Sequence, residues 1–232
     1  MSETSHEYEA EYNTALARGL SISGEDKTYF AKGRIEWLAR CLNRLRVAPL
    51  TAMDFGCGLG SATPFLLDLI KIKSVIGVDV LPVSLEVATQ ASDAKDAQFL
   101  LVDEYEPAGQ LDLAFSNGVF HHILPANRGE AVNYVYRSLK PGGIFALWEN
   151  NPWNPGARHV MNRITFDRDA IMLSACETRR WLVAGGFEIL QTNFLFIFPR
   201  KLSWLRGIEP LVSRMPFGAQ YQVLSRKPYL NG

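Results

Sequence analysis

The sequence predicts an α/β fold: a mostly parallel sheet of seven strands with helices on both faces. Two observations predict it. Short apolar, β-branched runs fall at 49–53, 74–78, 97–102, 111–115, 144–148, 187–198 and 220–225, and helical patterns separate most of them. The first run ends in an acid and a glycine-rich turn, Asp54-Phe55-Gly56-Cys57-Gly58-Leu59-Gly60, which opens a helix at Ser61. The last two runs are joined without a full crossover, so the final strand can pair antiparallel in an otherwise parallel sheet.

The 232-residue length suits a single domain, residues 1–232. Its parts are an N-terminal helical segment (1–47), a ligand-binding core (48–149), and cap insertions at 150–175 and 199–218. With 47% of residues apolar, a sizeable core is available. The formal net charge of zero gives no bulk attraction to nucleic acid. Cys41, Cys57 and Cys176 are odd in number and far apart, which argues against a disulfide framework and for a reducing, cytoplasmic setting. The polar, acidic start is not a signal peptide, and no apolar run reaches the roughly 18–20 residues of a membrane span.

Residues 1–19 read as a polar, mobile lead with Tyr8 and Tyr12 as anchors. From Gly24 to Leu45 an amphipathic helix is expected, with Tyr29, Phe30, Ile35, Trp37, Leu38, Cys41, Leu42 and Leu45 inward and Arg and Lys elsewhere. The helix after the glycines should turn Phe65, Leu66, Leu69 and Ile70 inward. The second run ends in Asp79, about 20 residues past the glycines, where a carboxylate can accept both hydroxyls of a ribose. Pro82 suits the first turn of the next helix, whose inner face is read as Val83, Val87 and Ala91. The third run ends in Asp103-Glu104. The fourth enters Ser116-Asn117-Gly118-Val119-Phe120-His121-His122. A helix over 128–139 is turned by Lys140-Pro141-Gly142-Gly143 into the fifth strand, because Pro cannot continue a helix and glycines allow a tight reversal. Ser174, with Glu177 three residues on, caps a helix over 175–185.

The spacing D-x-G-x-G-x-G, with Ser61 where the dinucleotide fingerprint has its third glycine, resembles motif I of class I S-adenosylmethionine-dependent methyltransferases. Leu-Lys-Pro-Gly-Gly before a strand is similar to the same family, and the resemblance runs in order over about residues 48–227. It implies a Rossmann-like sheet with S-adenosylmethionine as cofactor. By that resemblance the cofactor lies along Asp54, Phe55, Gly56, Cys57, Gly58 and Gly60, with Asp54 near its ammonium. Asp79 then meets the ribose hydroxyls and Val80 beside it the cofactor, Asp103 with its neighbour Glu104 meets the adenine amino group, and the Asn117–Gly118 backbone lines the site. Tyr29 or Phe30 would touch the cofactor from the leading segment, although plain core packing explains either equally well.

The acceptor expected is a small molecule, methylated on an oxygen of a sugar or secondary metabolite. An oxygen acceptor must lose a proton, which makes His121 and His122 the catalytic candidates. Adjacent residues on a turn diverge, so at most one of the pair faces the methyl and the other is structural. Glu149 and Asn150 are further polar candidates. No spacing along the chain suggests a metal. The insertion 199–218, rich in Trp204, Leu205, Leu211, Met215 and Phe217, is read as packing on 150–175 to form an acceptor lid, and a homodimer surface stays open. Two other readings also stay open: an RNA or protein N-methyltransferase, and a non-catalytic S-adenosylmethionine-binding protein. Ser61 counts against a nicotinamide enzyme.

Overall fold

A computed structural model describes residues 3–92, 95–164, 167 and 169–229. Seven strands form one sheet in the order β3-β2-β1-β4-β5-β7-β6. They are β1 Thr51–Phe55, β2 Ser74–Asp79, β3 Ala97–Leu101, β4 Leu111–Asn117, β5 Leu139–Asn150, β6 Glu188–Leu195 and β7 Gln220–Arg226. The pairs from β3 through to β5 are parallel. Strand β7 runs antiparallel to both β5 and β6, as a final connection without a full crossover allows.

Alternation along the strands divides the core in two. Met53, Phe55, Phe145, Leu147, Tyr221 and Val223 pack on one face, beside α5 (Arg128–Ser138) and α7 (Ala175–Ala184). Ala52, Leu113, Phe115, Ile144, Ala146, Trp148 and Leu224 pack on the other, against α2 (Lys27–Leu45). The Asp26 side chain accepts from the Tyr29 N–H and fixes where α2 begins. Two residues depart from the expected pattern of α2: Arg34 lies on its buried face, and Leu45, in the last turn, is exposed instead of inward.

Several expectations are corrected. The lead is not an irregular tail but an 18-residue helix, α1 Glu3–Leu20. Its Tyr8 hydroxyl accepts from Ser84 on α4 (Pro82–Ala91), and Gly19 lies against Ile164 and Val160 at α6 (Pro155–Arg163). Glu, Ala and Leu supply helix propensity, and packing at both ends supplies the rest. After the glycine turn the helix is short, α3 Thr63–Phe65, and continues as a π turn over Leu66–Ile70. There only Leu66 is fully buried, and Leu69 is exposed. In α4 the inner face is Ser84, Leu85, Val87 and Ala88 instead of Val83 and Ala91. The Lys-Pro-Gly-Gly stretch does not stand apart as a turn. It is drawn into β5, because the Gly142 N–H donates to the Lys227 carbonyl and the Lys227 N–H to the Gly143 carbonyl.

The caps share one seam. Asn151 Nδ2 donates to the carbonyls of Pro216 and Gly218, and Asn154 Nδ2 to that of Phe217. The rest of the insertion, a 3-10 segment Arg200–Ile208 and α8 (Glu209–Val212), turns instead to the α1–α2 junction. The Arg200 N–H donates to the Ser23 carbonyl, and Arg206 pairs with Glu25 at 2.8 Å. Trp204 stands 77% exposed and Leu211 84% exposed. Residues 165, 166 and 168 of the expected cap lie outside the described residues.

Candidate active site

The crevice lies at the carboxyl ends of β1, β2, β4 and β5, where open parallel sheets bind ligands. The turn after β1 holds Gly56, Gly58 and Gly60 at φ of +71°, +52° and +72°. Asp79, ending β2, pins it: its carboxylate accepts from the Gly58 N–H at 2.8 Å and the Leu81 N–H at 3.0 Å. A Cβ at Gly56 would collide with Val119, so the turn after β1 and the loop after β4 are packed side by side. Among the described residues a Cβ at Gly58 would meet nothing within 4 Å. Glycine at 58 therefore keeps clear space beside backbone N–H groups, as a close ligand requires.

Four polar groups around this space are buried and incompletely paired: Asp54 Oδ2, Arg34 Nε, Asn117 Oδ1 and His121 Nε2. Buried polar atoms without partners are uncommon, and at a strand-end crevice they point to a polar ligand. Burial raises the Asp54 carboxyl to about 7; nearby Asp79 adds to this and Arg34 opposes it. Burial lowers Arg34 to about 10 against the pull of Tyr12 and Asp54. Arg34 Nη1 donates to Gln220, whose amide donates to Asn150 at the end of β5. An acid and a guanidinium with spare valences fit the ammonium and carboxylate of an aminoacid moiety. Helix α1 packs on α4 and on α6. Its Tyr12 is raised to about 12, first by burial and then by Asp167 and other charges that include Asp79.

Beyond Asn117 the chain bends through Gly118 at φ +67°. Here His121 is buried and His122 is 41% exposed at its side chain. Glu149, 1% exposed at the end of β5, accepts from the Phe120 N–H and meets His121 Nδ1 at 2.5 Å. His121 Nε2 faces Asp167 Oδ1 at 3.6 Å, and His122 Nε2 faces the same oxygen at 3.3 Å. Burial opposes charge on His121, but Glu149 and Asp167 outweigh it and raise the imidazole to about 10. Burial would raise the Asp167 carboxyl, but the two histidines hold it below its usual range. Buried Arg128 fastens the loop through the carbonyls of Phe120, Ile123 and Ile171. The Ile171 N–H donates to the His121 carbonyl.

The expected residues thus fall into two groups. Asp54, Phe55, Gly56, Cys57, Gly58, Gly60, Asp79, Asn117, Gly118, His121 and His122 are brought to one crevice. Val80, 69% exposed, lies at its rim beside Asp79. Asp103 is exposed, and Glu104 is occupied with its own turn, accepting from the Leu101 N–H. Tyr29 lies elsewhere. It packs on Phe30 and Phe196 under the Arg206 guanidinium and lines a cleft of about 360 Å³ that contains no residue of the glycine turn. Sequence reasoning missed Arg34, Tyr12 and Asp167. Arg34 carried a signal, a charge amid the apolar face of a helix. Asp167 carried none, because only the fold brings it to the histidines.

Comparison with known proteins agrees with this geometry. Residues 53–147 match the family model described as a methyltransferase domain. Trans-aconitate 2-methyltransferase of Methylobacterium nodulans is 25% identical over 217 residues, covering 85% of this chain and 83% of that protein. Demethylmenaquinone methyltransferase of Thermus thermophilus is 26% identical over 201 residues, covering 82% and 85%. The S-adenosylmethionine-dependent methyltransferase structure from Mesorhizobium loti superposes with a TM-score of 0.59 at 19% identity, covering 83% of this chain and 97% of that one. Its strand order and these relatives make the chain similar to the class I S-adenosylmethionine-dependent methyltransferases, and residues 53–147 match a methyltransferase domain.

Proposed function

We propose that the chain transfers a methyl group from S-adenosylmethionine to an oxygen of a small molecule, such as a sugar or secondary metabolite. The observation that carries this is the His121–His122 edge. It is locked by buried Glu149 and set through Val119 against the glycine turn. The bound donor supplies a methyl already activated on its sulfonium. The chain then has to bind, orient, exclude water and activate the acceptor.

In this reading Asp54 and Arg34 hold the aminoacid end, the Gly56–Gly60 backbone lies along it, and Asp79 takes the ribose hydroxyls. Val80 and Asp103 border the adenine. Tyr12 on α1 replaces Tyr29 as the residue that closes the crevice. The acceptor enters between α1, residues 150–175 and the histidine edge, with its oxygen activated at His122. The relatives named for trans-aconitate and demethylmenaquinone support a small acceptor. No helix among the described residues is long and apolar enough to cross a membrane, and the three thiols are unpaired, which supports a cytoplasmic protein.

The test is release of S-adenosylhomocysteine against a panel of hydroxyl and carboxyl metabolites, with RNA and protein acceptors alongside. Turnover is expected with a small oxygen acceptor. His122→Ala should lower kcat about 10²–10⁴-fold at unchanged donor affinity. Turnover on RNA or protein alone, or full activity of His122→Ala, would overturn the reading.

A further inference from the structure

We infer that His121, His122 and Asp167 form a binding site for a first-row divalent transition metal, with zinc as the simplest probe. One donor atom from each of the three lies within 4.8 Å of the other two. Two separations, His121 Nε2 to Asp167 Oδ1 at 3.6 Å and His122 Nε2 to the same oxygen at 3.3 Å, are long for hydrogen bonds to an imidazole. Among the described residues, buried His121 Nε2 has no partner within hydrogen-bond distance. The same separations suit the edges of a coordination tetrahedron, which are roughly 3.3–3.5 Å for ligand distances near 2.0–2.2 Å.

The surroundings have the form such a site needs. A metal-ligating histidine usually gives its other ring N–H to a carboxylate, which fixes the ring and the tautomer. Glu149 does this at His121 Nδ1, so Nε2 is the nitrogen presented. Glu149 and Asp167 flank His121 from both ring nitrogens, and a dication would take the place of the proton they favour on it. His122 is part-exposed and provides an entry path. Two imidazoles and one carboxylate favour zinc, manganese or iron over magnesium, and three protein donors leave a position for an external oxygen. On the proposed function, from which this role alone follows, that oxygen belongs to the acceptor, and an ion held by His122 would activate it in place of the free imidazole.

The test uses the whole chain, stripped with a chelator and titrated with zinc by calorimetry, without donor or acceptor. One equivalent is expected to bind. Both His122→Ala and Asp167→Ala should weaken binding by at least about tenfold to a hundredfold, and Glu149→Gln by about tenfold. Circular dichroism of His122→Ala, whose side chain is part-exposed, guards against misfolding. Cobalt substitution should give visible bands of a nitrogen–oxygen site. Absence of saturable binding, unchanged affinity in both variants, or thiolate bands from a cysteine site would overturn the inference. Zinc binding without methyl transfer would sink the function and leave the site. Methyl transfer without zinc binding would do the reverse.

Discussion

At the residue scale, the crevice turns on an acid held out of water. Asp54 has its folded pKa raised to about 7 by burial and Asp79. A carboxyl raised in the folded state contributes stability fully present below its unfolded value near 4 and lost as pH rises through about 7. Donor binding runs the opposite way, because the ammonium requires the carboxylate. Donor affinity should therefore fall as pH drops below about 7, by up to about tenfold per unit, and the dependence should vanish in Asp54→Asn. Calorimetry between pH 5.5 and 8.5 measures this, and a flat wild-type profile would contradict the role of Asp54. Asp79 shows how the structure sharpens an expectation. Its carboxylate also accepts from Gly58 and Leu81, so removing it loosens the turn itself. Asp79→Asn keeps one acceptor and should weaken donor binding about tenfold to a hundredfold. Asp79→Ala should also lower the melting temperature of the unliganded chain.

At the element scale, what was legible depended on how local the signal was. Glycines at positive φ, strands with period-two burial, and the Ser174–Glu177 capping box are written into a few adjacent residues, and each lies where the sequence places it. Ser174→Ala should cost about 1 kcal/mol, seen as a shift in the denaturation midpoint without a change in slope. Helix α1 was illegible because its surface is mostly polar and its order comes from docking on α4 and α6, which no local pattern records. Arg34 was read as a solvated charge because neighbouring Arg and Lys residues are, whereas its place is under Tyr12 and Asp54. Tyr12→Ala should speed donor dissociation at least severalfold in stopped-flow displacement, while leaving the strand content by circular dichroism unchanged. An unaltered off-rate would show that α1 does not close the crevice.

At the scale of the whole molecule, the sheet gathers residues from β1, β2, β4 and β5 that the sequence spreads over half its length. The histidine pair was visible in sequence, but its partners Glu149 and Asp167 became a single cluster only through the order β1-β4-β5 and the strap through Ile171. The insertion 199–218 answers differently from expectation. Among the described residues its hydrogen bonds to the cap come at 216–218, and Trp204 stands exposed. Trp204→Ala should therefore change stability by no more than about 0.5 kcal/mol and leave donor affinity and turnover as they are. The central claim is that the open space at the glycine turn holds the methyl donor, and titration of S-adenosylmethionine into the wild-type chain and Gly58→Val tests it most directly. A branched side chain there fills the space and strains a left-handed residue by about 1–2 kcal/mol, within reach of a folded domain. One donor site is expected in the wild type and none in Gly58→Val, which still unfolds cooperatively at a lowered temperature. A folded Gly58→Val that binds the donor as the wild type does would contradict it.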